Sequence, residues 1–271
     1  MNHPIFEITM FWNEKSIFKE RVLNTLEYAR AFYIAEGNES HSGKIKRPFL
    51  VPDLLLELPE PIRSRVIHVP VDFSGSTETN PFVRERLVRD TALSALKGNP
   101  EFTDESILLI QDFDEFIRPQ MAPGLEKELF GLRFWRSRIR IRQRLSYFKL
   151  NLKDGADWTL SLAVSGKLAR TPSFSPNQWR HQFAKKKAPL TKNYYGWHHS
   201  YLGDVNFIRN KLDSFAEAGI DLVKNVTDEQ ILDRMNRGLD LYGRDIHFEK
   251  VNYANTDPIP ALLHRTDLLL P

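Results

Sequence analysis

The sequence predicts an α/β protein built on a largely parallel sheet, and three observations predict it. Short apolar, β-rich runs alternate with segments of helical spacing. The clearest helical segment carries both a start and a stop signal. Three of the β-rich runs end in carboxylates, and ligands of a parallel sheet bind beyond the carboxyl ends of its strands.

The chain has 271 residues, enough for one large domain or two small ones, with ample core either way. "FEITMFW" at 6–12 reads as the first strand. Residues 14–30 then place Phe18, Val22, Leu26 and Ala29 at helical spacing. "AFYIAE" at 31–36 is a second strand, ending in Glu36, and "RVIHVPVD" at 65–72 is a third, ending in Asp72. In "NPFVRERLVRDTALSALKG" at 80–98, Asn80 fits an N-cap, Pro81 the first turn and Gly98 the stop. That helix leads into "SILLIQDFDEF" at 106–116, where a fourth strand runs straight into Asp112, Asp114 and Glu115.

Charges beside a core are costly unless they are paired or ligate a metal. If the segment stays extended, Asp112 and Asp114 project to one side and can share a hard divalent cation. The competing reading is an ion-pair corner or a solvated turn. The sequence has no cysteine, so any metal here is held by oxygen or imidazole.

From about 131 the texture changes. "FWRSRIRIRQRLSYFKLNL" alternates Arg136, Arg138, Arg140, Arg142 and Arg144 against Ile139, Ile141 and Leu145, which at period two puts five guanidinium groups on one strand face. Such a face fits nucleic acid, an acidic glycan or anionic lipid, or else an edge strand kept soluble by charge. "DWTLSLAVSGKLAR" at 157–170 reads as a strand or hairpin, and the Pro-, Ser- and Lys-rich stretch 171–193 as a surface loop. In "YYGWHHSYLGDVNFIRNKLDSFAE" at 194–217, His198 and His199 point apart if the segment is a strand, so at most one faces a ligand. Asp204 is a catalytic base or, more simply, a helix N-cap. Ile208, Leu212 and Phe215 mark a helix, and Thr227 with Gln230 opens another that Gly238 stops.

The N-terminus lacks the basic start and apolar stretch of a signal peptide, and no apolar run approaches a membrane span. A cytoplasmic protein is expected, with peripheral membrane contact as the variant. Net charge is +3, a mild basicity that suits an anionic ligand.

Several segments together resemble family 17 glycosyltransferases. Glu36, Asn38, Ser40 and Gly43 are similar to the family's strand, Glu, Asn-x-Thr and Gly, with Ser40 in place of Thr. Glu85 and Arg89 match its helical Glu and Arg four apart. "DESILLIQDFDEF" resembles its acidic strand end, with Phe116 and Ile117 replacing the usual Ile-Pro. Gly196, Trp197, His198 and Ser200, then Lys211, Leu212 and Ser214, follow its Gly-Trp-His-x-Ser and Lys-Leu-x-Ser pattern, and Gly238 and Asp240 its closing segment. The matches keep family order over roughly residues 5–245. The animal members carry an N-terminal anchor before the catalytic domain; with this sequence opening on the catalytic segments, a soluble microbial relative is the expectation.

The resemblance implies a GT-A-like fold: a Rossmann-like, mostly parallel central sheet flanked by helices, with an added C-terminal acceptor-side region. It implies one glycosyltransferase domain over 1–271, divided at about 1–130 (nucleotide-sugar half), 131–250 (acceptor half) and 251–271 (irregular tail). The implied activity is a metal-dependent, inverting transfer of N-acetylglucosamine from UDP-GlcNAc to a glycan hydroxyl. In that reading Asp114 and His198 hold Mn²⁺ or Mg²⁺, and Asp112, Arg89, Lys211, Glu36 and Trp197 contact the donor. Asp204, Glu217 and Asp213 are the candidates for the base, Asp204 first. The partners are a nucleotide sugar and a glycan acceptor, acidic or lipid-linked, with no nucleic acid and no integral membrane segment. A metal-dependent phosphohydrolase and a non-enzymatic glycan- or nucleic-acid-binding protein are the competing classes.

Overall fold

The structure, a computed structural model, describes residues 3–43, 45–131, 137–180, 188–214 and 226–271. The α/β class expected from the sequence is what it shows. Strand β1 (Ile5–Phe11) pairs in parallel with β2 (Ala29–Gly37), β2 with β3 (Val66–Val71), and β1 with β4 (Ile107–Ile110). The order β3-β2-β1-β4 brings all four carboxyl ends to one edge. The strands β5 (Glu115–Ile117), β6 (Arg138–Tyr147), β7 (Leu152–Trp158), β8 (Leu162–Ser165), β9 (Leu190–Ser200) and β10 (Glu249–Lys250) extend the sheet. There β4 pairs antiparallel with β8, β8 with β6, β6 with β7 and β7 with β10. Strand β9 forks off the sheet, parallel to β6 and antiparallel to β5.

Both faces of the parallel half are covered, as such sheets require. On β2, Ala31, Tyr33 and Ala35 face one core with Phe6, Ile8 and Val88, Ala92, Leu93 and Leu96 of the long helix Pro81–Lys97. Phe32 and Ile34 face the other core with Phe11, Phe18, Val22 and Phe113. The alternation explains why these runs are apolar throughout. Asn80 caps the long helix by accepting from the Phe82 N–H, and Gly98 follows its last turn. The helix expected over 14–30 is shorter, Phe18–Leu26 behind a 3₁₀ turn, because β2 already begins at Ala29.

Two expectations about the second half change. Strand β6 is central, not an edge, since it pairs with β7, β8 and β9. Its Arg138, Arg140, Arg142 and Arg144 do share the half-buried face, opposite buried Ile139, Ile141 and Gln143. Two of these four charges are answered by carboxylates: Arg142 pairs with Asp157 at 3.3 Å and Arg144 with Asp257 at 3.0 Å. Arg136 lies outside the described residues. The stretch 171–193 is also more than a surface loop. Arg180 within it is fully buried, and its C-terminal end, from Leu190, is strand β9.

Near the C-terminus the capping box of Thr227 and Gln230 opens the helix Asp228–Arg237. Gly238 ends it at φ +62°, a left-handed conformation that favours glycine. The tail 251–271 has only 3₁₀ turns, yet Ile259, Leu262 and Leu268 are buried against the first helix. Among the described residues no helix is long and apolar enough to cross a membrane.

Candidate functional site

The acidic run after β4 folds as a tight turn. The Glu115 N–H donates to the Asp112 carbonyl at 3.0 Å, and Glu115 Oε2 accepts from the Asp112 N–H at 3.0 Å. Phe113, at the turn's apex, inserts into the core against Phe11, Phe18 and Phe32. That burial locks the turn and sends the two aspartates to different partners, so the shared ligand expected from an extended segment gives way to two adjacent ion-pair groups.

Asp112 forms the first group. Its Oδ1 lies 2.6 Å from Arg89 on the long helix, and its Oδ2 lies 2.6 Å from Arg180. Arg180 also holds Glu115, at 3.0 Å from Oε2, and Glu115 accepts from Trp158 Nε1 and Ser161 Oγ at 2.6 Å each. Arg89 in turn pairs with Glu85, four residues back on its helix. Burial opposes ionisation of Asp112, but the Arg180 and Arg89 guanidiniums overcome it and hold the carboxyl well below its usual range.

Asp114 forms the second group. Its Oδ2 accepts from Lys211 Nζ at 2.6 Å, and its Oδ1 lies 3.3 Å from His198 Nε2. Here too burial is outweighed, by Lys211 and then His198, and the carboxyl is held well below its usual range. Glu14, just past β1, lies 3.9 Å from the same ammonium and accepts from the Trp12 and Asn13 N–H groups. Burial pushes Glu14 up against the pull of Lys211.

His198 arrives through strand pairing. It sits opposite Glu115 in the β5–β9 register, with the Trp158 ring 4.1 Å away. Gly196 permits that pairing: a Cβ there would come 1.9 Å from the Phe116 carbonyl oxygen. The neighbouring His199 faces the opposite way, 2.6 Å from Ser146 Oγ and 3.3 Å from the Tyr253 hydroxyl. Burial pushes its pKa down to about 3.

The other residues singled out in the sequence lie elsewhere. Glu36 is fully buried at the end of β2, where it accepts from the Leu50 and Val51 N–H groups and pairs with Arg47 and His68. Its carboxylate is thus used to fold the following loop back, and a donor contact is corrected to an anchoring one. Trp197 is likewise fully buried and donates to the Asp257 carbonyl at 3.0 Å, which leaves no ring face for a ligand. Asp204 caps the helix Val205–Ser214 by accepting from the Phe207 N–H at 2.8 Å. Glu217 lies outside the described residues.

Sequence reasoning missed Arg180 and Glu14. Arg180 stands in a basic, Pro-rich stretch with no periodicity, and only tertiary folding reveals that it plugs an acidic site. Glu14 is only the first position of the segment 14–30, with no pattern that marks it as part of a site.

Asp114 and His198 offer one carboxylate oxygen and one imidazole nitrogen at a single point. The nitrogen facing Asp114 is Nε2; the other ring nitrogen, Nδ1, is buried with no hydrogen-bond partner among the described residues. Among those residues no third His, Asp or Glu completes a metal-ligating group. Two side chains alone do not hold a divalent cation, so one placed here would take the rest of its shell from anionic oxygens of a ligand and from water.

The class so defined is an α/β protein with a buried, ion-paired site at the carboxyl edge of its parallel strands. No family model matches the chain, and no curated protein matches it. It is similar to solved structures of glucosyl-3-phosphoglycerate synthase from Mycobacterium tuberculosis. One, in complex with Mn²⁺, UDP and glucosyl-3-phosphoglycerate, is 11% identical with a TM-score of 0.36, over 72% of this chain and 71% of that one. Another, with Mn²⁺, UDP and phosphoglyceric acid, is 12% identical with a TM-score of 0.38, over 92% and 87%.

Proposed function

We propose that the protein is a metal-dependent glycosyltransferase of the GT-A type, related to family 17, that uses a nucleotide-sugar donor. The observation that carries this reading is the meeting of Asp114 with His198 and Lys211 at the carboxyl edge of the sheet. A cation held there would stand beside a basic group, and Asp112, two residues earlier in the chain, holds Arg89 and Arg180. That combination suits a ligand that is both metal-bound and polyanionic, and a nucleoside diphosphate sugar is such a ligand.

In this reading Asp114 and His198 hold the cation, with the imidazole favouring Mn²⁺ over the oxygen-preferring Mg²⁺. The bound cation would neutralise charge on the departing diphosphate. Lys211 and Arg89 add positive charge for the same leaving group. Asp112 keeps Arg89 and Arg180 in place. Trp158, half-buried and pinned by Glu115 against His198, borders the sugar side. The donor is UDP-GlcNAc and the transfer inverting, in keeping with the family resemblance. One base must then deprotonate the acceptor hydroxyl; Asp204 and Glu217 are the proposed groups.

The test is turnover. Purified protein with Mn²⁺ is offered UDP-GlcNAc and UDP-glucose with a panel of neutral and acidic oligosaccharides. UDP release that depends on acceptor, with a product of inverted anomeric configuration by proton NMR, supports the proposal. Hydrolysis of phosphate esters without sugar transfer would favour the phosphohydrolase class instead.

A further inference from the structure

We infer that Lys211 is the built-in counter-ion of the cation position: its ammonium holds Asp114 in the ligand-free protein, and a divalent cation must displace it. This rests on the reading of Asp114 and His198 as the metal ligands.

The site poses a charge problem of its own. Asp114 and Glu14 are both buried, and two buried carboxylates are not stable side by side without a cation. Lys211 answers both, with Nζ 2.6 Å from Asp114 Oδ2 and 3.9 Å from Glu14 Oε1. The ammonium also lies near the rings of Tyr201 at 5.4 Å and Phe207 at 5.9 Å, which favour a cation.

The placement is fixed by the fold. Asp204 caps the start of the Val205–Ser214 helix. One turn before its end, Asn210 Oδ1 accepts from Trp12 Nε1 at 3.1 Å and Asn13 Nδ2 at 3.4 Å. The helix is thereby tied to the carboxyl end of β1, and Lys211 is the next residue.

A divalent ion beside Asp114 would stand within a few ångströms of this ammonium, where like charges repel strongly in a buried setting. Metal and ammonium therefore compete for one carboxylate. A polyanionic ligand relieves the competition because it gives the displaced ammonium a new partner. Metal and nucleotide then bind with positive coupling, each raising the affinity for the other.

The test is Mn²⁺ binding to the nucleotide-free full chain, read from the electron paramagnetic resonance signal of unbound Mn²⁺. Lys211→Met keeps the buried stem and removes the charge. The expected result is binding about tenfold tighter or more than wild type. Equal or weaker binding overturns the inference. Wild-type protein gives a second measurement that needs no folded variant. Reductive methylation of lysines is mapped by mass spectrometry with and without saturating Mn²⁺. Labelling of Lys211 should rise with Mn²⁺, and unchanged or reduced labelling overturns the inference. Asp114→Ala separates the two levels. If it loses Mn²⁺ binding while Lys211→Met binds like wild type, the inference fails and the metal reading stands. If it binds Mn²⁺ as wild type does, both fail together.

Discussion

Arg21 and Phe113 are joined across the core: Arg21 Nε donates to the Phe113 carbonyl at 3.1 Å. Arg21 is fully buried, stacked between the rings of Phe32 and Phe116, and paired with Glu7 in the middle of β1. From the same helix, Asn24 donates to the Ile117 carbonyl at 2.9 Å. The first helix thus holds the acidic turn from beneath, on both sides of Asp114. Removing one member of such a pair strands a buried charge, so Arg21→Met is expected to destabilise the protein by about 3–5 kcal/mol. Adding Glu7→Gln should recover part of the loss. Urea denaturation of the single and double variants checks both statements.

Gly196 sets a steric limit on the site. Its absent Cβ would overlap backbone, which cannot swing aside as a side chain can. Gly196→Ala should therefore push β9 away from β5, separate His198 from Asp114 and lower stability by about 1–3 kcal/mol, the range for overpacking a core. Denaturation midpoints measure the first effect, and loss of Mn²⁺ affinity the second.

His199 predicts a pH dependence. Its folded pKa, about 3, lies below the ordinary histidine value of 6.5. The unfolded chain therefore takes up the proton first as pH falls, and stability drains away from about pH 6.5 towards the folded pKa. Asp112 and Asp114 act lower down: their stabilisation is present above the unfolded carboxylate pKa and is lost as pH falls through their depressed folded values. Glu7 and Glu14, raised by burial, work in the opposite direction. A His199→Asn comparison cancels the carboxylates. Measured in chelator, the variant should show a flatter stability profile than wild type between pH 7 and 4. Parallel profiles would count against a buried neutral His199.

Asp204 separates capping from catalysis. Asn caps a helix about as well as Asp. Asp204→Asn should therefore keep wild-type stability, while turnover falls by about two to four orders of magnitude if its carboxylate takes the acceptor proton. Turnover at wild-type level would confine Asp204 to the cap and leave Glu217→Gln as the informative variant.

Much of the parallel half was legible because its signals are local. Alternation within β2, the Asn80 cap and the four-residue apolar run of β4 each follow from neighbouring residues. The acidic edge followed as well, since a parallel sheet sends its carboxyl ends one way. What escaped depends on long-range closure. Asp112 and Asp114 look equivalent as a spaced pair, and only the burial of Phe113 shows that they part. Glu36 and Trp197 read as ligand contacts, because nothing nearby reveals that a later loop and the Asp257 carbonyl use them. Arg180 reaches Glu115 from 65 residues away, with no local pattern to mark it.

The most direct test of the central claim is calorimetric titration of UDP and UDP-GlcNAc into wild-type and Asp114→Ala protein, each with Mn²⁺ and with chelator. The account predicts binding to wild type that requires Mn²⁺ and is lost in the variant, with its fold intact by circular dichroism. Binding of equal strength in chelator, or in Asp114→Ala, would contradict a metal-held nucleotide sugar at this site.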